Sequence, residues 1–279
     1  MNAIEISQLR KSYPGFDLGP LDLDLPQGCI MGLIGENGAG KTTTIRLILD
    51  MLQRDGGSIR LLGRGDGEDV MLTREETGVV LDEVGFPECF NASQVNNMMR
   101  LTYKNWDQAA YREYLRRFDL PEGKQFKDFS RGMKMKLGIA VALSHKPKLL
   151  ILDEPTSGLD PVVRDEVVEL FSEFTRDASH SILISSHIVS DLEKLCDYIA
   201  FLHKGQLLLC EEKDLLLSEY CILRCTAAEL NALPKETVKG RKENPYGVTA
   251  IVRRDAAPAG ANISPISIEE LFVFMVKEA

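Results

Sequence analysis

The stretch that most constrains this chain is Gly35-Glu36-Asn37-Gly38-Ala39-Gly40-Lys41-Thr42-Thr43. An apolar run, Cys29-Ile30-Met31-Gly32-Leu33-Ile34, leads into it, and a helical pattern, Thr44-Ile45-Arg46-Leu47-Ile48-Leu49, leads out. Strand, glycine-rich loop and helix, in that order, make the context that a phosphate-binding loop requires. Glycines let the backbone turn its N–H groups inward around phosphate oxygens. The following helix points free N–H groups and the positive end of its dipole at the same anion. Lys41 supplies a movable charge for the terminal phosphates, and the Thr42 hydroxyl is placed to ligate Mg²⁺. Asn37, Gly38, Ala39, Gly40 and Thr43 complete the cradle, which predicts a nucleoside triphosphate as ligand.

At 279 residues the chain accommodates one large domain with a small appendage, or two domains. A net charge of −9 disfavours a nucleic-acid partner, which calls for a basic face. No apolar run approaches the ~20 residues that span a bilayer. The opening residues, Met1 to Ile6, lack the basic and then apolar regions of a signal peptide. Any membrane role is therefore expected to come through a partner chain. The cysteines are scattered without a C-x-x-C pair or zinc-like spacing, so reduced thiols are expected.

Ala3 to Leu9 and Leu21 to Leu25 alternate as half-buried strands do. Lys11 to Phe16 reads as a turn, preceded by an exposed aromatic. Ser58 to Leu62 reads as a short strand, and a further strand ends at Asp82-Glu83. From about Val84 to Lys146 the period becomes helical, and Ser130 is placed to cap the last helix of this insert. Leu149-Leu150-Ile151-Leu152-Asp153-Glu154 is an apolar run ending in two acids, the mark of a parallel strand buried on both faces. Its carboxyl end is where doubly wound sheets hold ligands. Asp160-Pro161 opens a helix with an acid cap and proline at the first position. Ser181 to Ser186 is another apolar strand, ending at His187. Beyond about Glu211 the character changes to a small α/β appendage, closed by a capping box at Ser267 and Glu270.

The phosphate loop, Ser130-x-Gly132, Asp153-Glu154-Pro155, Ser157-Gly158-Leu159-Asp160 and His187 follow one another as in ATP-binding cassette (ABC) ATPases. Over roughly residues 1–211 the chain resembles the ATP-binding subunit of an ABC transporter, most like the exporter and multidrug types. The resemblance implies a P-loop NTPase, RecA-like α/β core of mixed sheet. To this belong an antiparallel β subdomain and a helical subdomain at about 84–146, with 212–279 as a small accessory domain. It implies that Asp153 holds Mg²⁺ through water while Thr42 holds it directly. Glu154 is then the general base, His187 the switch residue at the γ-phosphate, and Tyr13 the ring that stacks on adenine. Ser130 and Gly132 would meet the ATP held by an opposite subunit, and Asp160 would join the nucleotide contacts. Two chains, as a homodimer or heterodimer, would then clasp ATP head to tail and drive a separate integral membrane permease, with export the expected direction. The subunit would be cytoplasmic, peripheral on the inner face of the membrane. The alternative is a soluble cassette ATPase acting without a permease.

Two departures from the family pattern stand out. The signature carries Arg131 where glycine is usual and Met133 where glutamine is usual. The position of a glutamine that reaches Mg²⁺ and water falls on Asp82, or on Glu83 with a slip of one. An ionised carboxylate there can approach the metal through water but cannot donate a hydrogen bond. The groove for the permease is expected between Asp82 and Trp106, with Phe86, Pro87 and Phe90 either contacting it or packing the helical insert.

Overall fold

The computed structural model describes residues 1–245, 247–258 and 260–278. Strands β1 (Asn2–Tyr13) and β2 (Phe16–Pro26) form a hairpin that pairs Tyr13 with Phe16 across its tip. Both run further than their alternation suggests. The register of β1 shifts between Ile6 and Leu9, where Gln8 takes a φ of 51°, so the apolar period breaks while the ladder continues. The turn expected over Lys11 to Phe16 is thus confined to Pro14 and Gly15.

β3 (Ile30–Ile34) is buried throughout and feeds α1 (Lys41–Ile48). β4 (Gly56–Leu61) returns to the free edge of β1, making a three-stranded antiparallel sheet. A short helix, α2 (Val70–Glu75), precedes β5 (Thr77–Val80). The insert follows as α3 (Ala92–Thr102), α4 (Gln108–Arg117) and α5 (Arg131–Leu143), with side-chain N-caps from Asn91, Asp107 and Ser130 respectively. The core resumes with β6 (Leu149–Asp153), α6 (Pro161–Phe174), β7 (Ser181–Ser186), α7 (Val189–Leu195), β8 (Tyr198–His203) and β9 (Gln206–Glu212).

The central sheet has the order β5-β6-β7-β3-β8-β9, parallel except for β9. Its strands read as unbroken apolar runs because each supplies side chains to two cores. Met31, Leu33, Leu149, Ile151 and Leu183 face the antiparallel sheet and α1. Ile30, Ile34, Leu150, Leu152, Ile182 and Ile184 face the helical insert and the helices after it. The sheet is therefore sandwiched, and only its strand ends remain open for chemistry.

The tail comprises α8 (Lys213–Glu219), β10 (Tyr220–Cys225), α9 (Ala227–Asn231), β11 (Val238–Asn244), β12 (Gly247–Arg253), β13 (Asn262–Ser264) and α10 (Ile268–Glu278). Its antiparallel sheet has the order β11-β12-β10-β13. Its Ile222, Ile251, Ile268 and Leu271 share a hydrophobic cluster with Leu195 and Phe201 of the core. Phe272 of α10 meets Phe201 edge to face, 5.1 Å between ring centres.

The turn after β8 touches the phosphate loop, since Gly205 N–H donates to Ala39 O at 2.9 Å and Gly205 O accepts from Gly19 N–H at 2.7 Å. Gly205 has a φ of 80°, and a Cβ there would lie 1.9 Å from Asp17 O. Gly205→Ala should therefore lower stability by at least about 2 kcal/mol, read as an earlier urea midpoint; an unchanged midpoint would show that the turn gives way. His145, fully buried, stacks on Tyr103 at 3.9 Å and donates from Nδ1 to Glu75 O at 2.9 Å. Burial holds its pKa below the ordinary histidine value despite that bond. The unfolded chain then takes up the proton first, so this contribution to stability is full above about pH 6.5. It is lost as pH falls toward the lower folded value. His145→Gln should flatten the acid limb of stability against pH.

Candidate nucleotide site

The carboxyl ends of β3, β6 and β7 lie side by side, with Asp153 level with Ser185 and Ile34 level with Ser186. This register brings the phosphate loop, Asp153-Glu154 and His187 to one rim of the sheet. Gly38 and Gly40 adopt φ values of 82° and 111°. The left-handed φ of Gly40 favours glycine there, and a Cβ would fall 2.6 Å from Leu18 Cδ1, which would have to shift. The loop folds back through Ala39 N–H to Glu36 O at 3.1 Å. No side chain caps the start of α1, which leaves its first N–H groups aimed at the cavity.

Lys41 is only 6 % exposed. Its ammonium donates to Gly35 O at 2.7 Å and Glu36 O at 3.4 Å, and lies 3.3 Å from Glu154 Oε1. The other carboxylate oxygen of Glu154, Oε2, accepts from His187 Nδ1 at 2.6 Å and from His187 N–H at 3.4 Å. Glu154 itself has a φ of 52°, outside the usual range for a side chain of its size. Its N–H is fastened to Ser185, 3.1 Å from Oγ and 3.2 Å from the carbonyl. Such backbone strain is held by its surroundings and clusters at sites of chemistry. Ser185 Oγ donates to Asp153 Oδ1 at 2.5 Å, beneath the surface, where Asp153 is 1 % exposed.

Above these groups opens a cavity of about 410 Å³. Asn37, Gly38, Gly40, Lys41, Thr42, Thr43, Asp82, Glu154 and His187 line it together. Ala39 is buried behind the loop and takes part through its backbone. The remaining candidates stand apart. Ser130 Oγ accepts from Met133 N–H at 3.2 Å, and Asp160 Oδ1 accepts from Val163 N–H at 3.1 Å, so both act here as helix caps. Gly132 packs beside Leu159 and Gly158. Tyr13 sits at the hairpin tip with Lys11 Nζ 5.6 Å from its ring centre, and the aromatic on the cavity wall is Phe16. Sequence reasoning passed over Phe16, Glu36 and Ser185. Phe16 could have been found from its place opposite Tyr13 in a two-residue hairpin, and Ser185 from a hydroxyl inside an otherwise apolar strand.

Residues 18–157, half of the chain, match the family model described as ABC transporter. The chain belongs to the ABC transporter family. It is 29 % identical to the ABC transporter ATP-binding protein YtrB of Bacillus subtilis, covering 97 % of each protein. It is 38 % identical to the bacitracin transport ATP-binding protein BcrA of Bacillus licheniformis, over 74 % of this chain and 68 % of that one. It is 36 % identical to the lantibiotic transport ATP-binding protein SrtF of Streptococcus pyogenes, over 76 % and 91 %. Residues 125–190 also match the model of an AAA domain. Among solved structures, an ATP-binding subunit of an ABC transporter superposes with a TM-score of 0.69 at 28 % identity, over 76 % of this chain and 90 % of that one. A dimeric post-hydrolysis cassette bound to ADP and Pi shares the fold, with a TM-score of 0.67 at 18 % identity over 75 % and 98 %. The expected fold class is borne out, and so is the expected role: an ATP-binding, ATP-hydrolysing subunit of an ABC transporter.

Ser185→Ala removes the hydroxyl that serves Asp153 and the Glu154 N–H together. It should cost about 1–3 kcal/mol of stability, the range for leaving buried polar groups unpaired, and it should lower ATPase turnover as Glu154 loses its anchor. Wild-type stability in denaturant titration would show that the hydroxyl is dispensable.

Proposed function

We propose that two chains close head to tail on two ATP molecules, each nucleotide held by the phosphate loop of one chain and the Ser130 end of α5 in the other, and that hydrolysis lets them part. The observation that carries this reading is the Lys41–Glu154–His187 cluster on the wall of the phosphate cavity. In the structure the ammonium of Lys41 engages the carboxylate that has to act as base. A triphosphate draws Lys41 to its terminal phosphates and frees Glu154 Oε1. Glu154 then takes a proton from water as the water oxygen attacks the γ-phosphorus and the bond to ADP breaks. His187 steadies Glu154 through Oε2 and reaches the γ-phosphate as it passes to water.

Mg²⁺ fits the donors present. Among the described residues no group of three or more His, Cys, Asp or Glu side chains could hold a metal by itself. Mg²⁺ keeps most of its waters and needs one or two protein oxygens beside the phosphates. The Thr42 hydroxyl and the Asp153 carboxylate, oriented by Ser185, supply those, whereas Asp82, on the same cavity, is engaged by Arg131. When bound, the ion neutralises charge on the β- and γ-phosphate oxygens. Phe16 and Tyr13, paired across the hairpin, are the rings available to adenine.

The chain acts on a membrane permease from the cytoplasmic side, with residues 1–211 as the cassette and 212–279 as an accessory unit docked on it. No described helix is long and apolar enough to cross a membrane. Phe86 and Phe90 pack into the insert, Phe86 meeting Phe126 edge to face at 5.6 Å, which supports the packing alternative for them. A better seat for the permease is a cavity of about 330 Å³ between α1, β4 and α2, with Met51, Val70 and Tyr103 on its walls. Met51, Val70, Met71 and Leu72 are exposed around it, an apolar rim of the kind that marks interaction sites. Relatives named for bacitracin transport and lantibiotic transport support an export role.

Glu154→Gln tests the core of this reading. It should bind ATP as the wild type does, lose about 10²–10⁴-fold in turnover, and elute as a dimer with ATP and Mg²⁺. Undiminished turnover would remove Glu154 as base, and a monomer under those conditions would remove the two-chain site.

A further inference from the structure

Two positions where this chain departs from its family pattern meet in space. Arg131, the first residue of α5, places Nη2 2.5 Å from Oδ1 of Asp82, although 49 residues separate them. The same nitrogen lies 3.4 Å from Ser157 Oγ. The stem of the arginine passes over Gly158, where a Cβ would come within 3.3 Å of Arg131 Cδ. One guanidinium therefore gathers the tip of α5, the loop after β5 and the loop that leads into α6. Arg131 and Asp82 both line the phosphate cavity, and both also line a second cavity of about 510 Å³ beside Phe129 and Met135.

The side chains of Arg131 and Asp82 are 58 % and 44 % exposed. An ion pair so open to water shifts an equilibrium by about fivefold or less. It adds little to holding the fold and is weak enough to be exchanged. A terminal phosphate offers a guanidinium two oxygens at once and a higher charge than a carboxylate. Asp82, an ionised carboxylate, has no donor to offer that phosphate. The two partners of the pair thus respond to a nucleotide in opposite ways.

We infer that Arg131 changes partners when ATP binds: it is held by Asp82 and Ser157 as seen in the structure, and passes to the terminal phosphate of the nucleotide. Its transfer releases the loop after β5, and with it one attachment of the helical insert to the core. Arg131 is then a phosphate ligand and Asp82 a positioning residue that withholds it. The inference rests on the ATP-binding reading above.

A double-mutant cycle in the Glu154→Gln background, titrated with fluorescent ATP, tests it without interference from turnover. Arg131→Gln should weaken binding about tenfold. Asp82→Asn should tighten it about two- to fivefold. Added to Arg131→Gln, Asp82→Asn should change affinity by less than about twofold, since no arginine remains to be withheld. Additive effects would overturn the exchange, because they mean that the two charges act on the nucleotide independently. Weaker binding by both single variants would also overturn it, as the mark of a clasp that only holds structure. Arg131→Gln with parental affinity would do the same. Loss of ATP binding in the parent would sink the nucleotide reading itself, and the exchange with it. A cycle that holds while the chain is monomeric assigns the phosphate to its own cavity. One that emerges only when chains pair assigns it to the twin's; either supports the exchange.

Discussion

The ammonium of Lys41 is the charge around which this molecule is arranged. It is almost wholly withdrawn from water, and such a charge is tolerated only with partners of opposite sign or polarity. Two carbonyls of its own loop and the carboxylate of Glu154 supply them. Because the lysine opens α1, beyond β3, and the carboxylate follows the last residue of β6, the contact requires the strands between them to be in register. The same contact occupies one carboxylate oxygen of Glu154, and His187 holds the other.

The double burial of the central sheet makes that register dependable. These strands feed a core on each side, and a slip of one residue would send every side chain to the opposite core, against neighbours packed to fit a different residue. Strand ends are then the positions left for polar groups, and Asp153, Glu154, Ser186 and His187 stand there. Ser185 is the exception inside the sheet. Its hydroxyl is matched to Asp153 and to the Glu154 N–H, so a polar group in an apolar strand has its bonds satisfied and holds the strained Glu154 in place.

Much of the site was legible because its signals are local. A glycine-rich loop between an apolar strand and a helix, or an apolar run ending in two acids, is a pattern within ten residues whose physics depends on its neighbours in sequence. Elements at a bulge were less legible. The break in alternation at Gln8 concealed that β1 continues to Tyr13 and that Phe16, not Tyr13, faces the cavity. The tail read as separate because its composition shifts near Glu211. Its packing of Phe272 on Phe201 depends on which face α10 turns inward, which periodicity alone does not decide.

The sequence by itself determined the chemical groups: a phosphate cradle, a lysine, two adjacent acids at a strand end and a histidine, in the order that identifies an ATPase of this family. Only the tertiary structure decided who holds whom. That Lys41 engages Glu154, that Ser185 anchors it, and that Arg131 and Asp82 find each other all depend on side chains from separate strands and loops converging on one rim. Local sequence sets which groups a chain carries and how each segment bends. Contacts between segments arise from the burial of two cores at once, a property of the whole chain.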